Sequence, residues 1–175
     1  VNQVPDGSEI QVELSLVAEE VERLISISNK LLMLSQADAG RINLSQQEIN
    51  FSDLLGQMID DLKAFNPDLI FSKTIQHGLR IQGDPDLMMQ LMMNLFGNAI
   101  KYNYPQGRIE VKAHTVSNEL IFSISNTTHL IMAGLDERVF ERFYRHREAI
   151  NHQVSEATGA GLGLSLCREI VMAHG

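Results

Sequence analysis

The sequence lacks the features that mark several large classes of protein. No apolar run approaches the roughly 20 residues needed to cross a bilayer, and no signal peptide is visible. Cys167 is the single cysteine, so an intrachain disulfide is excluded and a reducing compartment is favoured. The six histidines show no metal-ligand spacing. The composition therefore favours a globular protein without a disulfide framework or a zinc site.

Positive charge is also scarce. The chain has 14 Lys and Arg against 22 Asp and Glu, a net charge of −8, and no basic face typical of nucleic-acid binding stands out. An anionic ligand would therefore need a local cluster of positive charge. The one dense cluster could also be a solvated helix face and loop. It contains Arg138, Arg142, Arg145, His146 and Arg147.

The first forty residues predict one long helix after a short loop. Ser8 is a typical N-cap, and Gln11 three residues later completes a capping box. The helix should run to about Ala37, because a glycine follows at position 40. A heptad seam runs along it: Leu14, Val17, Val21, Leu24, Ser28, Leu31 and Ser35. One helix cannot bury this seam alone, so partner helices are expected.

Residues 41–175 predict a second domain in which strands and helices are mixed. Strands are predicted at residues 47–51, 69–73, 79–82, 108–114 and 119–125, the last two as a hairpin. Helices are predicted after the cap Ser52, at 86–102 behind Asp84 and Pro85, at 136–143, and at 164–174. The polar residues 145–158 predict a loop. The predicted class is α+β: a two-layer sandwich of a mixed β-sheet and helices, preceded by one long coiled-coil-type helix.

A glycine loop precedes the last predicted helix. Gly159, Gly161 and Gly163 alternate with other residues, so the backbone could approach a ligand closely. Free amides at the start of the helix would favour an anion. Glycine loops also serve as plain turns, so this pattern alone is weak evidence. A dinucleotide-binding fold is not indicated, because a polar segment rather than an apolar strand precedes the loop.

The apolar helix predicted at 86–102 carries an unexpected polar face. Asn94, Asn98, Lys101 and Tyr102 fall on one side of it. A frayed helix end would explain Lys101 and Tyr102, but not two asparagines within an apolar stretch. Buried amides need partners, and phosphates with a hydrated Mg²⁺ would supply them.

These patterns together resemble those of bacterial two-component sensor histidine kinases. Residues 94–102 resemble the N box of that family, and residues 139–145 (Val-Phe-Glu-Arg-Phe-Tyr-Arg) resemble its F box. Residues 159–164 resemble its second glycine box, and residues 31–40 the end of its second dimerisation helix. The four motifs occur in the family's order and spacing. The Ala-Asp-Ala-Gly sequence at the end of the long helix is similar to the helix ending of the heavy-metal-sensor subgroup of this family.

The resemblance implies a Bergerat-type ATPase and kinase fold that binds ATP and Mg²⁺ between the N-box helix and a lid. Asn98 is implied as the Mg²⁺ ligand through its side-chain oxygen. Asn94 and Lys101 are the implied catalytic residues, with Asn94 beside the phosphates and Lys101 balancing their charge. The other implied nucleotide contacts are Tyr102, Asn126, Ile131, Tyr144, Arg145, Gly159, Gly161, Leu162, Gly163 and Leu164.

Position 94 distinguishes kinases from other members of this superfamily. Gyrase, mismatch-repair and chaperone relatives have a glutamate there as a base for water, whereas the Asn94 amide cannot accept a proton. The implied activity is transfer of the ATP γ-phosphoryl group to a histidine of a dimerisation helix. That histidine motif is absent from this sequence, so the first dimerisation helix is expected before Val1, and the fragment should not phosphorylate itself. Further strands are expected after Gly175, so the sheet should be incomplete here.

The first glycine box departs from the family pattern. Its aspartate aligns with Asn126, and its two glycines are replaced. The aspartate of relatives accepts a hydrogen bond from the adenine amino group, and the Asn126 oxygen could still accept that bond. An aspartate at this position is expected to bind adenine at least as well, because its bond is charge-assisted. The alternative is that Asn126 only ends a strand at a turn.

Three functions are consistent with the residues. The first is the kinase domain. The second is a degenerate nucleotide-binding pseudokinase or regulatory module, and the third is a helical interaction module, which leaves the asparagines and the glycine loop unexplained. The resemblance implies the protein's own phosphoacceptor helix, a second protomer and a cognate response regulator as partners, and no nucleic acid. It also implies a cytoplasmic domain of an inner-membrane sensor.

Overall fold

The structure of the protein is a computed structural model. It describes residues 7–117, 119–128, 137–145 and 160–175. The chain divides into two compact units, Val1–Ile42 and Asn43–Gly175. Each unit is described by itself.

The first unit contains the long helix α1, Gly7–Asp38. Ser8 lies inside this helix, so the predicted N-cap is wrong, whereas the predicted end is close to the observed one. The seam residues Leu14, Val17, Val21 and Leu24 are all exposed. No helix in the described parts of the chain is long and apolar enough to cross a membrane.

The described part of the second unit contains five strands: β1 (Gln47–Asn50), β2 (Ile70–Ile75), β3 (Arg80–Gly83), β4 (Arg108–Val116) and β5 (Glu119–Asn126). Within the described residues, β1 pairs with β3 antiparallel, and β2, β4 and β5 form a separate mixed sheet. In the mixed sheet β2 is parallel to β4, and β4 forms an antiparallel hairpin with β5. The hairpin is the one predicted from the alternation of apolar residues.

Among its described residues, the second unit also has three α-helices and one 3₁₀ turn: α2 (Phe51–Phe65), α3 (Pro85–Lys101), the 3₁₀ turn Glu137–Phe140, and α4 (Gly163–Ala173). The sheet turns Ile109, Val111 and Ala113 into the core. Helix α2 contacts β1, β2 and β3, while α3 contacts α4 and β5. The predicted α+β class with a mixed sheet and a long preceding helix is confirmed.

Two predicted helix boundaries are wrong for local reasons. Helix α2 is capped by Asn50, whose side-chain oxygen accepts from the Asp53 amide at 3.3 Å. Ser52 instead connects two loop groups: its hydroxyl donates to the Gln76 carbonyl at 2.8 Å and accepts from the Leu79 amide at 2.9 Å.

The second wrong boundary is that of the helix predicted at residues 136–143. In the described part of that range only a single 3₁₀ turn forms, Glu137–Phe140. Phe143 has a φ of 63°, a left-handed backbone conformation that cannot continue a right-handed helix.

Candidate functional site

Helix α3 provides one wall of the candidate site, and Asp84 fixes its beginning. One carboxylate oxygen of Asp84 accepts from the amides of Asp86 and Leu87 at 3.0 and 3.1 Å. The other accepts from the Ser45 amide at 2.9 Å. These bonds, that from Ser45 above all, hold the pKa of Asp84 below its ordinary value, since they favour the charged carboxylate. The predicted cap, with Pro85 as the first helical residue, is confirmed.

His174 joins the end of α4 to the beginning of α3. Its Nε2 accepts from the Asp84 amide at 3.0 Å, and its Nδ1 lies 2.7 Å from the Ile170 carbonyl oxygen. A carbonyl only accepts and an amide only donates, so in this geometry Nε2 of His174 is the acceptor and Nδ1 is the donor. Sequence reasoning missed this residue, because its partner is 90 positions away and no local pattern connects them.

The polar face of α3 faces the start of α4. Asn94 and Asn98 are half-buried there. The side-chain nitrogen of Asn94 is buried and has no hydrogen-bond partner among the described residues. Its side-chain oxygen lies 3.6 Å from the place where a Cβ of Gly163 would stand. The Asn94 side chain therefore lies beside the glycine loop and carries a donor that no described residue satisfies.

The glycine loop is held by the residues after the 3₁₀ turn. The Phe143 amide donates to the Gly161 carbonyl at 2.9 Å. Gly161 has a φ of +70°. A Cβ there would lie 2.8 Å from the Phe143 carbonyl carbon and 2.9 Å from the Tyr144 backbone carbonyl oxygen. Only glycine satisfies both constraints. The side chain of Leu162 in this loop is buried in the core.

The C-terminal end of α3 meets the end of β5. The ammonium group of Lys101 lies 5.1 Å from the centre of the Tyr102 ring. The side-chain nitrogen of Asn126 donates to the Tyr102 carbonyl at 3.2 Å and to the Thr127 carbonyl at 3.4 Å. Two carbonyl acceptors on one side orient the amide, so the Asn126 oxygen points away from them and can accept from a ligand.

The structure thus brings most predicted site residues into two groups. Asn94 lies beside Gly163, and Tyr144 beside Gly161. Lys101, Tyr102 and Asn126 form the second group, at the other end of α3.

Of the other six predicted site residues, Asn98 is half-buried on α3 and Leu162 is buried in the glycine loop. The remaining four are Leu164, Arg145, Ile131 and Gly159. Leu164 lies in the first turn of α4, and Arg145 is exposed. Ile131 and Gly159 lie outside the described residues, as do His146 and Arg147 of the basic cluster.

Comparison with known proteins identifies the family. Residues 83–175 match the family described as histidine kinase-, DNA gyrase B- and HSP90-like ATPases. The chain belongs to this family. The match includes the whole of α3 and the glycine loop, and ATP binding follows from family membership.

Individual relatives are sensor kinases. The chain is 32% identical over 164 residues to the sensor protein kinase WalK of Staphylococcus epidermidis, covering 92% of this chain and 26% of that protein. It therefore spans about a quarter of the length of that curated relative. The assignment to the heavy-metal-sensor subgroup is not confirmed and stays a prediction.

Solved structures share the fold. The Acinetobacter baumannii histidine kinase AdeS has a TM-score of 0.73 at 20% identity, covering 98% of this chain and 76% of its own. Full-length ShkA in complex with AMPPNP has a TM-score of 0.78 at 22% identity, covering 98% and 35%. At these identities the likeness supports the fold and no individual residue role.

Proposed function

We propose that this chain is the ATP-binding catalytic part of a sensor histidine kinase, which transfers the γ-phosphoryl group of ATP to a histidine on a dimerisation helix. The observation that carries the proposal is the side chain of Asn94, which lies beside the glycine loop and whose buried amide nitrogen has no partner among the described residues. A donor at this position suits a phosphate oxygen. It cannot act as the base that water needs for hydrolysis.

The phosphates would lie between α3 and the start of α4. Asn94 would donate to them from one side, and the backbone amides of Gly161, Leu162, Gly163 and Leu164 from the other. Gly159 would extend this loop. The negative charge of the phosphates must also be balanced. Lys101 and Arg145 would do this at the two ends of the phosphate chain.

The nucleoside would lie towards the C-terminal end of α3. Tyr102 offers an aromatic ring there, and the Asn126 oxygen offers an acceptor for the adenine amino group. We include Ile131 and Tyr144 as further contacts with the nucleotide.

Magnesium fits the same site. Asn98 lies one helical turn from Asn94, and its side-chain oxygen is the kind of ligand that Mg²⁺ takes, with phosphate oxygens and water completing the shell. A bound Mg²⁺ would neutralise phosphate charge. The contribution of this chain's own residues is to hold the phosphates in line with an incoming nucleophile.

The reaction needs no base from this chain. A nitrogen of the neutral acceptor imidazole forms a bond to the γ-phosphorus, and the bond from that phosphorus to the bridging oxygen breaks. The proton on the other imidazole nitrogen passes to solvent or to a group of the acceptor helix. ADP leaves with the electron pair. The residues of α3 and the glycine loop orient the triphosphate for this displacement.

Residues 1–40 are proposed to be the second helix of a dimerisation hairpin, and residues 41–175 the catalytic domain. The exposed seam of α1 would pack against its hairpin partner and a second protomer. A cognate response regulator is the proposed phosphoryl acceptor downstream; the related fold ThkA has been solved in complex with a response regulator protein, TrrA. The proposed location is the cytoplasmic side of a membrane sensor.

The test is phosphotransfer to a separately supplied acceptor. The chain is incubated with Mg²⁺, γ-labelled ATP and a dimerisation hairpin that carries the acceptor histidine. Acid-labile label should appear on the hairpin, should not appear on the chain itself, and should vanish when the acceptor histidine is replaced by alanine.

Lys101→Met should lower the rate of transfer, while Lys112→Met, which removes a lysine paired with Glu110 on β4, should not. ATP binding without any transfer would contradict the kinase and indicate the pseudokinase alternative.

A further inference from the structure

Thr127 stands at the centre of a hydrogen-bond cluster that joins the end of β5 to the turn after α3. Its hydroxyl accepts from the Arg108 amide at 2.9 Å and donates to the Asn103 side-chain oxygen at 2.5 Å. Its own amide donates to the Arg108 carbonyl at 3.0 Å. We call Asn103, Tyr104, Arg108 and Thr127 the Thr127 cluster.

Each bond of the Thr127 cluster joins a donor to a compatible acceptor. The Asn103 oxygen accepts a second bond, from the Tyr104 amide at 2.9 Å. The Asn103 nitrogen donates to the Arg108 carbonyl at 3.2 Å. Carbonyl oxygens have two lone pairs and a hydroxyl donates once, so these bonds form one consistent set.

The surroundings of Gly107 show how tightly the Thr127 cluster packs. A Cβ on Gly107 would overlap both the Asn103 oxygen and the Thr127 hydroxyl. The side chains of Asn103 and Thr127 therefore occupy the space that the side chain of any residue other than glycine would need at position 107. The same turn is hydrogen-bonded to the first residue of β2, because the Ile70 amide donates to the Gly107 carbonyl at 2.8 Å.

The Thr127 cluster holds the two walls of the proposed nucleoside site at a fixed separation. Thr127 directly follows Asn126, and Asn103 directly follows Tyr102, the C-cap of α3. Asn126 and Tyr102 are themselves linked by the bond from the Asn126 nitrogen to the Tyr102 carbonyl. The cluster therefore reinforces both bonds that orient the Asn126 oxygen, since their acceptors are the carbonyls of Tyr102 and of Thr127 itself.

We infer that Thr127 is a positioning residue for nucleotide binding: its hydroxyl keeps Asn126 and Tyr102 in the arrangement that receives the nucleoside. This inference rests on the proposed function. It goes beyond that function, since it gives a role to a residue that does not itself need to touch the ligand. Thr127 is exposed, so a purely structural role would affect the turn and leave affinity unchanged.

The test compares Thr127→Val, which keeps the shape and removes the hydroxyl, with Thr127→Ser, which keeps the hydroxyl. In calorimetric titrations with ATP and Mg²⁺, Thr127→Val should bind about 3- to 10-fold more weakly, and Thr127→Ser within about 2-fold of the native chain. Thr74→Val, at an exposed position on β2, is the matched control and should bind like the native chain. Asn103→Ala breaks the same cluster and should weaken binding in the same direction.

A second readout does not depend on the nucleotide. The Asn126 side-chain amide protons should exchange faster with solvent in Thr127→Val than in the native chain, and Thr127→Ser should restore the slow exchange. Native-like ATP affinity in both Thr127→Val and Asn103→Ala would overturn the inference and leave the proposed function intact. A native chain that binds no ATP would overturn the proposed function first, and the inference with it.

Discussion

At the scale of single residues, Asn126 is held by its nitrogen and offers its oxygen. The bond to the Tyr102 carbonyl uses the one group that an asparagine has and an aspartate lacks. The side chain can therefore act as an acceptor for adenine only while this bond keeps it oriented.

Asn126→Ala should weaken ATP binding. The adenine amino group would lose its acceptor, which costs about 1–3 kcal/mol, or roughly a 5- to 150-fold loss of affinity. The measurement is the affinity for ATP and for GTP in both proteins. If the variant keeps both the affinity and the preference for ATP, base recognition lies elsewhere.

Asn126→Asp should destabilise the domain, a separate effect from the adenine affinity that the sequence predicts to be at least as high as in the native chain. A carboxylate oxygen would replace the nitrogen that now lies 3.2 Å from the Tyr102 carbonyl, and two acceptors repel each other. We expect a loss of about 1–2 kcal/mol in the free energy of unfolding, measured by urea titration. An aspartate variant as stable as the native chain would argue against the orientation of the amide described above.

Sequence reasoning could find Asn94 and Asn98 because helical spacing places them on one face, and spacing is a local property. It could not find His174, Asn103 or Thr127. Their partners are determined by how distant segments fold together, and histidine, asparagine and threonine are common in turns and at helix ends without any such role.

At the scale of elements, α3 is fixed at both ends by hydrogen bonds to other parts of the second unit. Asp84, Ser45 and His174 fix its beginning, and Asn126 fixes its end. A helix that lines a binding site benefits from such support, because its polar side chains must be held in place before the ligand arrives.

Asp84→Ala should lower the stability of the domain by about 2 kcal/mol, since it removes the cap of α3 and the partner of the Ser45 amide. Asp84→Asn should cost less, because asparagine is also a good N-cap. Urea unfolding near pH 7 measures both. Equal losses in the two variants would show that the cap to Asp86 and Leu87 contributes little beside the charge and the second acceptor oxygen, which asparagine lacks.

The native chain and Asp84→Asn should also differ in how their stability depends on pH. The pKa of Asp84 is lowered in the folded state, so its charged form stabilises the protein above the ordinary carboxyl value, and this contribution is lost as pH falls through the folded pKa. The native chain should therefore lose stability below about pH 4 more steeply than Asp84→Asn. Parallel stability curves for the two proteins in that range would contradict the assignment.

The order and type of the elements could be predicted in large part, since apolar alternation predicts the β4–β5 hairpin and the Asp-Pro pair predicts the start of α3. The boundary at Ser52 was wrong because Asn50 competes for the same role two residues earlier. The helix predicted at 136–143 was wrong because the close approach to Gly161 requires Phe143 in a left-handed conformation, which local propensity does not reveal.

At the scale of the whole molecule, the exposed seam of α1 predicts how the chain behaves in solution. The seam carries Ser28 and Ser35 among its apolar residues, and one helix provides only part of a four-helix bundle. Self-association should therefore be weak. Sedimentation at low micromolar concentration should show a monomer, and a tight dimer there would mean that α1 finds another packing partner.

The central claim is that α3 and the glycine loop form one ATP site that also holds Mg²⁺ through Asn98. The most direct measurement is calorimetric titration with ATP, in Mg²⁺ and in chelator, of the native chain, Asn98→Ala and the exposed control Asn43→Ala. The native chain and the control should bind more tightly in Mg²⁺, and Asn98→Ala should lose that difference while keeping the metal-independent part. A native chain that binds no ATP, or an Asn98→Ala variant with the full magnesium effect, would contradict the claim.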